Sequence, residues 1–206
     1  MLLCDIGNTS YHFYNTQTKK SYKKSVKTFD PSTINEKIYY ICVHHPTCKK
    51  LQKLQNWINL EDFVQRHLYY DTMGIDRIIA CEAIQNGVIV DAGSAITVDF
   101  VQNGIFQGGF IYPGKKAFED ALSRISPALT TSLDFSVNFQ KLPKNTHDAL
   151  SYGFLSGLKK EIESYNSDII LTGGDAKELQ QVFETAMVDE LLLFKGMIEL
   201  LKKNSL

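Results

Sequence analysis

Apolar and polar positions divide the first part of the chain into short strands separated by turn residues. Apolar residues dominate the strands, and Gly, Asn and Thr occupy the segments between them. This pattern predicts four strands, at residues 1–6, 10–15, 20–28 and 38–43. After Pro46 the period changes, because Leu51, Leu54 and Ile58 fall on one face of a helix. A helix is therefore expected to follow the fourth strand.

The same order of elements begins again at Gly87. Strands are predicted at residues 88–91, 95–102, 105–111 and 168–172. Helices are expected at residues 74–85, after Pro113, at 147–165, from Asp175 and at 195–203. A strand–turn–strand–turn–strand opening thus occurs twice, which indicates an internal repeat. We therefore predict an α/β protein of two similar halves with mixed sheets, residues 1–86 and 87–206.

Three of the strand-like runs end in short acidic turns that contain glycine: Asp5–Thr9, Asp91–Ala95 and Thr172–Asp175. Backbone N–H groups point outward from such turns and bind phosphate. A carboxylate in the same turn repels phosphate unless a cation lies between the two. A single Asp-x-Gly turn is usually structural, because Asp bonds its own backbone and Gly accepts positive φ. Three copies favour a nucleotide–metal site, with two of the turns as the walls of one cleft.

Composition excludes several classes of protein. The formal net charge of the 206 residues is −1 and no block of basic residues occurs, so we expect no nucleic-acid partner. No apolar stretch reaches membrane-spanning length, and Asp5 interrupts the apolar start, which argues against a membrane protein or a signal peptide. The cysteines lie scattered without a CxxC pair, which predicts reduced thiols in a cytoplasmic protein: Cys4, Cys42, Cys48 and Cys81.

One segment, Cys42–Cys48, has the residue types of a zinc site, since it contains two cysteines and two histidines. Structural zinc sites usually place paired ligands in two separated groups, and this spacing does not match that pattern. Cys42 also continues the apolar run that begins at Ile38. Burial in the core is therefore favoured for Cys42, with metal binding as the alternative.

Familiar nucleotide-binding motifs are absent from the sequence. It has neither the Walker A loop G-x-x-x-x-G-K-[ST] nor the G-x-G-x-x-G fingerprint, so P-loop and Rossmann folds lose their main support. The lysine, catalytic-loop and DFG set of protein kinases and the G-x-S-x-G elbow of hydrolases are missing as well.

Six segments, in order along nearly the whole chain, resemble the motifs of type III pantothenate kinases: Asp5–Thr9, Gly74–Arg77, Asp91–Asp99, Gly108–Gly114, Lys144–Gly153 and Thr172–Gly174. The resemblance implies the actin-like fold of the acetate-and-sugar-kinase superfamily, in which two duplicated ribonuclease-H-like halves enclose a nucleotide cleft. It also implies transfer of the γ-phosphoryl group of ATP to the primary hydroxyl of pantothenate, the first step toward coenzyme A.

The resemblance assigns ATP to the two acidic hairpins. Its phosphates are expected at Ser94 and at the first hairpin, which comprises Asp5, Ile6, Gly7, Asn8, Thr9, Ser10, Tyr11 and His12. Asp5 is expected to face Mg²⁺ through water, and Asp91 is expected to help hold a monovalent cation, K⁺ or NH₄⁺. Oxygen ligands suit such hard cations.

The resemblance places pantothenate at Tyr70, Gly74, Ile75, Asp76, Arg77 and Thr146. Asp76 is expected to act as the catalytic base. An ordinary carboxylate is a weak base for an alcohol, but the proton leaves late in a loose transition state, so orienting the hydroxyl is most of the task. Arg77 is expected to bind the carboxylate of pantothenate, because a guanidinium can donate two parallel hydrogen bonds to it.

Two of these assignments have alternatives. In the family, the residue that corresponds to Thr146 comes from the partner subunit, which implies a homodimer with composite active sites. Thr146 could equally cap the helix predicted from residue 147. Tyr70 resembles a tyrosine that lines the pantothenate pocket, and the neighbouring Tyr69 could take that place instead.

The chain departs from the family pattern in three places. Ser94 stands where Thr is commoner, which keeps the hydroxyl group. Pro143 replaces a usual Gly, and the segment 45–70 is short. The last two differences concern the expected substrate site more than the phosphate site.

Two other functions are compatible with the same fold. One is a kinase for another small hydroxy acid or sugar, and the Gly74–Arg77 motif argues against it because that motif belongs to the acceptor side. The other is a non-catalytic regulatory relative. Retention of Asp5, Asp76 and Asp91 argues against this second alternative.

Overall fold

The first five strands of the computed structural model, which describes residues 1–206, form one mixed sheet. They are β1 (Leu2–Ile6), β2 (Ser10–Asn15), β3 (Lys20–Ser25), β4 (Ile38–Cys42) and β5 (Trp57–Asn59). Within the sheet they lie in the order β3-β2-β1-β4-β5. Pairing is antiparallel from β1 to β2 and from β2 to β3, whereas β4 and β5 run parallel to β1.

The next five strands repeat this arrangement. They are β6 (Gly87–Ala92), β7 (Ala95–Gln102), β8 (Ile105–Pro113), β9 (Ile169–Thr172) and β10 (Met187–Val188). Their order is β8-β7-β6-β9-β10, again antiparallel on one side of the central strand and parallel on the other. The two sheets share one topology. The predicted internal repeat and the mixed α/β architecture are therefore confirmed.

Six α-helices accompany the sheets: α1 (His45–Leu51), α2 (Ile75–Glu82), α3 (Lys115–Ile125), α4 (Thr146–Ser164), α5 (Ala176–Leu179) and α6 (Leu192–Lys203). Short 3-10 turns occur at Pro31–Thr33, Leu60–Phe63, Arg66–Leu68 and Pro127–Leu129. None of the helices combines the length and apolar character needed to cross a membrane.

The chain forms two units, and the first is discontinuous in sequence. Unit 1 contains Met1–Ile84 together with Leu191–Leu206, and unit 2 contains Gln85–Glu190. The sequence-based division assigned all of residues 87–206 to the second half. Helix α6 instead packs against α2 and β1. Its Phe194 ring lies 4.9 Å from the ring of His12 and 5.1 Å from that of Tyr14, measured between centroids.

Each unit has its own hydrophobic core. Aromatic rings dominate the first, where the buried Trp57 meets Tyr11, Phe13 and Tyr40 at centroid distances of 6.3, 6.2 and 5.8 Å. Edge-to-face contacts of this kind are favoured by the ring quadrupole. Aliphatic residues of β6 and β9 dominate the second core, and α4 covers them with Phe154, Leu155, Leu158 and Ile162.

Helix α1 is shorter than its apolar spacing predicts. It ends at Leu51, and Ile58 lies in β5, which pairs in parallel with β4. The side-chain amide of Asn56 donates to the carbonyl oxygens of Ile34 and Glu36 at 2.8 and 3.0 Å, which fixes the chain just before β5. Strand pairing and burial of Trp57 thus outweigh the local helical period.

Two of the four cysteines differ from the sequence-based prediction. Cys42 and Cys48 form a disulfide with Cα atoms 5.9 Å apart, so the expectation of reduced thiols is wrong for this pair. The bridge is possible because α1 begins three residues after β4 and brings Cys48 back toward the strand end. The two sulfur atoms that a zinc site would need are bonded to each other. Cys4 and Cys81 are buried and do not take part in a disulfide.

Gly196 allows α6 to approach α2 closely. A Cβ atom at this position would overlap the carbonyl oxygen of Ile79. We expect Gly196→Ala to lower the free energy of unfolding by about 1–3 kcal/mol, because backbone on both sides must shift. Urea denaturation, monitored by the fluorescence of the single tryptophan Trp57, measures the change in unfolding free energy of unit 1.

A matched control is Gly157→Ala in α4, where a Cβ atom meets nothing within 4 Å. Alanine is a better helix former than glycine, so this substitution should stabilise the protein by up to about 1 kcal/mol. Urea denaturation monitored by circular dichroism measures this gain. An unchanged stability of Gly196→Ala would contradict the close packing of α6 on α2.

Candidate active site

The first acidic turn joins β1 to β2. Asp5 is opposite His12 in the antiparallel register, and Ile6 is opposite Tyr11. The N–H group of Gly7 donates to the carbonyl oxygen of Ser10 at 3.0 Å, which closes the turn. Asn8 and Thr9 are exposed at its tip. The groups available to a ligand at this turn are therefore those of the tip, while the N–H group of Gly7 serves the turn itself.

Three members of the predicted ATP-binding hairpin support it rather than line it. Ile6 and Tyr11 are buried in the first core, and the His12 ring packs edge-on against Phe194. Burial raises the pKa of Tyr11, whose hydroxyl is hydrogen-bonded to Thr47. These residues anchor the two strands so that only the turn between them projects outward.

Strand β4 fixes the other side of this turn. Its pairing with β1 is parallel, so the carboxyl ends of both strands meet at one edge of the sheet. The N–H group of Val43 donates to the carbonyl oxygen of Ile6 at 3.0 Å. His44 Nδ1 lies 2.8 Å from Thr47 Oγ1, which ties the start of α1 to the same region.

The second acidic turn joins β6 to β7 in the same way. The N–H group of Gly93 donates to the carbonyl oxygen of Ala95 at 3.0 Å, and Ser94 is exposed. Gly114, just before α3, lies so close that a Cβ atom there would overlap the carbonyl oxygens of Gly93 and Ser94. The start of α3 thus packs directly against the second turn.

The third turn lies beside the second within unit 2. Strands β6 and β9 are parallel, with Asp91 opposite Thr172. Gly173 has φ of +90°, and a Cβ atom there would overlap the Asp91 carboxylate and the Ala92 carbonyl. The N–H group of Asp175 donates to that Ala92 carbonyl at 2.9 Å. The structure therefore brings Asp91, Ser94 and the third turn to one edge of the second sheet.

Next to this edge lies a charged cluster that the sequence analysis missed. Lys115 Nζ lies 2.6 Å from Glu178 Oε2, and this hydrogen bond raises the pKa of Lys115. Burial, with added repulsion from Glu178 and Glu119, raises the pKa of Asp175. Nothing in the spacing of Lys115 and Glu178 along the sequence indicates this contact, because it depends on where β9 lies next to β6.

The acceptor motif starts α2 in unit 1. The N–H group of Arg77 donates to Asp76 Oδ1 at 2.9 Å, so the carboxylate lies over the first turn of the helix. A Cβ atom at Gly74 would lie only 2.5 Å from the same oxygen. Gly74, which the resemblance places at the pantothenate site, thus leaves room for the Asp76 carboxylate. Ile75 is buried and fixes the helix in the core.

The structure separates the roles of the two neighbouring tyrosines. The Tyr70 hydroxyl is hydrogen-bonded to the guanidinium of Arg77, which also lies over the Tyr70 ring at 5.7 Å from its centroid. The Tyr69 hydroxyl donates to Glu82 Oε1 at 2.9 Å, at the other end of α2. Of the two, Tyr70 is the one that lies with the acceptor motif.

Thr146 is the first residue of α4 and is exposed. The cap of this helix is Asn145, whose side-chain oxygen accepts the N–H group of Asp148 at 2.9 Å. The alternative in which Thr146 caps the helix is therefore wrong. Asn at the first position with Asp three residues later is a recognisable capping signal, so the sequence did contain this information.

The repeated sheet order, with an acidic glycine turn after the central strand of each sheet, defines a duplicated α/β protein with the actin-like fold. Solved structures with the same fold include ethanolamine utilization protein EutJ from Carboxydothermus hydrogenoformans, with TM-score 0.50 and 13% identity over 97% of this chain and 88% of that one. A protein described as a Baf family transcriptional activator from Campylobacter jejuni is much closer, with TM-score 0.87 and 39% identity over 100% and 99% of the two chains.

Sequence comparisons identify the family of this chain. The model for type III pantothenate kinase matches residues 54–168. A type III pantothenate kinase from Sulfurimonas denitrificans is 53% identical over the full length of both chains. Another, from Wolinella succinogenes, is 42% identical over 98% of this chain and 97% of the relative. The chain belongs to the type III pantothenate kinase family.

The raised pKa of Asp175 predicts a dependence of stability on pH. A carboxyl group whose pKa is higher in the folded state destabilises that state once it ionises, so the penalty is present at neutral pH and absent at acid pH. Asp175→Asn should therefore unfold at higher urea concentration than the wild type at pH 7. The difference should shrink as the pH falls and vanish below about pH 4.

The matched control is Asp168→Asn, because Asp168 is an exposed aspartate just before β9. We expect no comparable pH-dependent gain for this variant. A gain for Asp175→Asn that persists unchanged at acid pH would show that ionisation of Asp175 is not its cause.

Proposed function

We propose that this protein transfers the γ-phosphoryl group of ATP to the primary hydroxyl of pantothenate, forming 4′-phosphopantothenate in the first step of coenzyme A biosynthesis. The acceptor motif carries the proposal. Its Asp76 carboxylate lies over the first turn of α2, and its Arg77 lies against Tyr70, in a chain that belongs to the type III pantothenate kinase family. The name of those relatives, type III pantothenate kinase, supports this substrate pair.

In the proposed complex the tips of the acidic turns bind the phosphates of ATP. Asn8 and Thr9 offer backbone N–H groups at the exposed tip of the first turn, and Ser94 offers a hydroxyl at the second. Strand pairing fixes the two ends of each turn, which lowers the conformational entropy lost when phosphate binds. Thr172–Gly174 lies beside Asp91 and is assigned to the adenosine end of the nucleotide.

Two cations complete the proposed site. Mg²⁺ commonly binds through one or two carboxylates together with substrate phosphates, so single aspartates at the turns fit its chemistry. Asp5 would hold Mg²⁺ through water, and Asp91 would contribute to a site for K⁺ or NH₄⁺. Such cations neutralise the negative charge that gathers where triphosphate meets carboxylates.

The acceptor residues have separate tasks in this proposal. Arg77 binds the carboxylate of pantothenate, and the Tyr70 hydroxyl steadies the guanidinium in the position that the structure describes. Asp76 accepts a hydrogen bond from the attacking hydroxyl and receives its proton as the new P–O bond forms and the bond to ADP breaks. Because Asp76 Oδ1 also accepts the Arg77 N–H group, its orientation is fixed before substrate binds.

The family resemblance adds a homodimer in which Thr146 reaches the active site of the partner. Exposed apolar residues support an interface in unit 2, since Ile111 on β8 and Ile125 on α3 are 63% and 73% exposed. Helix α3 has no fully buried residue, although Phe118 packs against Phe154 of the second core. Apolar surfaces of this kind often mark contact sites. Sedimentation of the active enzyme as a monomer alone would contradict the dimer.

The first experiment is a measurement of ADP release from ATP with and without pantothenate, in K⁺ buffer and in Na⁺ buffer. We expect release that requires pantothenate and is faster in K⁺, with the K⁺ advantage lost in Asp91→Asn. Binding of ATP without any ADP release in either buffer would contradict the proposed activity. It would favour a regulatory role, the alternative suggested by the description of the Campylobacter jejuni relative.

Asp76→Asn tests the proposed base. The amide oxygen of Asn can still accept the Arg77 N–H group, so the start of α2 should be preserved. We expect turnover to fall by about 10²–10⁴-fold, as is typical when a general base is removed, while the KM for ATP changes little. The exposed neighbour Asp71 supplies the control, and Asp71→Asn should keep normal turnover. Near-normal turnover of Asp76→Asn would exclude Asp76 as the base.

A further inference from the structure

The segment between β5 and the acceptor motif, residues 60–73, contains no strand and no α-helix. It consists of two 3-10 turns, Leu60–Phe63 and Arg66–Leu68, and the irregular chain around them. Its last residue, Met73, directly precedes Gly74 and is buried. Contacts that hold this segment in place therefore also position the start of α2 and the acceptor motif.

Arg66 joins the two ends of the segment. Its Nη1 donates to the carbonyl oxygen of Met73 at 2.8 Å, and its Nη2 is hydrogen-bonded to the carboxylate of Glu61. One guanidinium thus connects the first 3-10 turn with the residue just before Gly74. Only arginine offers donors in two fixed directions at once, whereas a lysine ammonium is a single point of contact.

The same bridge sets the position of Tyr70. The N–H group of Tyr69 donates to the carbonyl of Arg66, and that of Met73 donates to the carbonyl of Tyr70, both at 3.0 Å. Tyr70 therefore lies inside the loop that Arg66 closes. Its hydroxyl is hydrogen-bonded to Arg77, so hydrogen bonds between successive residues link Arg66 to the proposed carboxylate anchor by way of Met73 and Tyr70.

We propose that Arg66 is a positioning residue of the acceptor site, acting through Met73 and Tyr70 on Gly74–Arg77 without touching either substrate. The proposal rests on the proposed function, because it names pantothenate as the molecule whose binding depends on Arg66. Arg66 and Glu61 are 37% and 42% exposed, and exposed ion pairs contribute little to overall stability. The contact with the buried Met73 carbonyl is local to the acceptor motif. Loss of Arg66 should therefore affect the acceptor rather than the fold.

The experiment compares Arg66→Ala, Arg66→Lys and Lys53→Ala in steady-state kinetics. Lys53 is an exposed lysine between α1 and β5 of the same unit, and it is the control for loss of a surface positive charge. In Arg66→Ala we expect the KM for pantothenate to rise about tenfold or more, since a charge-assisted hydrogen bond is lost. The KM for ATP should change by no more than about twofold, because the loss of Arg66 disturbs the acceptor motif and leaves the nucleotide site unchanged. Arg66→Lys should recover part of the loss by donating to Met73 alone.

Hydrogen exchange of the backbone amides of residues 69–78 is measured on the same variants without substrate. We expect faster exchange in Arg66→Ala and wild-type rates in Lys53→Ala, with no change in the exchange of β6 or β9. Equal losses for pantothenate and ATP, or an unchanged KM for pantothenate, would overturn the proposal. Unchanged exchange in residues 69–78 would overturn it as well.

The two measurements distinguish this proposal from the proposed function. If the wild type shows no pantothenate-dependent turnover, the proposed substrate is rejected whatever Arg66 does. Faster exchange of residues 69–78 in Arg66→Ala would then still support the bridge to the acceptor motif. Should Arg66→Ala fail to fold, Glu61→Gln removes the charge of one partner while keeping Arg66, and a rise in the KM for pantothenate is expected there too.

Discussion

The hydrogen bonding of β1 and β6 on both sides is the constraint on which the rest of the structure depends. Each strand is antiparallel to the strand that follows it and parallel to a strand contributed later in the chain. The parallel partners bring a second chain segment to the carboxyl end of the central strand. Asp5 in β1 and Asp91 in β6 therefore lie near the carboxyl ends of adjacent parallel strands, which is where α/β proteins usually bind ligands.

Close backbone approach makes this convergence tight in unit 2. Gly173 lies against Asp91, and Gly114 lies against the turn that carries Ser94, so neither position has room for a side chain. In unit 1 the corresponding support is different, since buried Tyr11 and the disulfide-linked start of α1 hold the first turn. The two halves thus share a topology while using different side chains to stabilise the same kind of turn.

Much of the fold and of the site could be predicted from the sequence. Strand β7 was predicted with its observed bounds, because local alternation and the flanking turns define it. The acidic turns were located for the same reason. Strands β5 and β10 were missed, since they are short and exist only through pairing with β4 and β9. The contacts of Arg66 and Lys115 were missed because they join residues through tertiary structure that no local pattern encodes.

The discontinuity of unit 1 has a consequence for biosynthesis. Helix α6 supplies Phe194 and Met197, both buried, to a unit whose strands are all made within the first 59 residues. As the nascent chain leaves the ribosome, unit 2 is complete in sequence while the face of β1 and β2 that α6 covers still lacks its partner. Domains generally fold as they emerge, so the half that is translated first is the last to be finished.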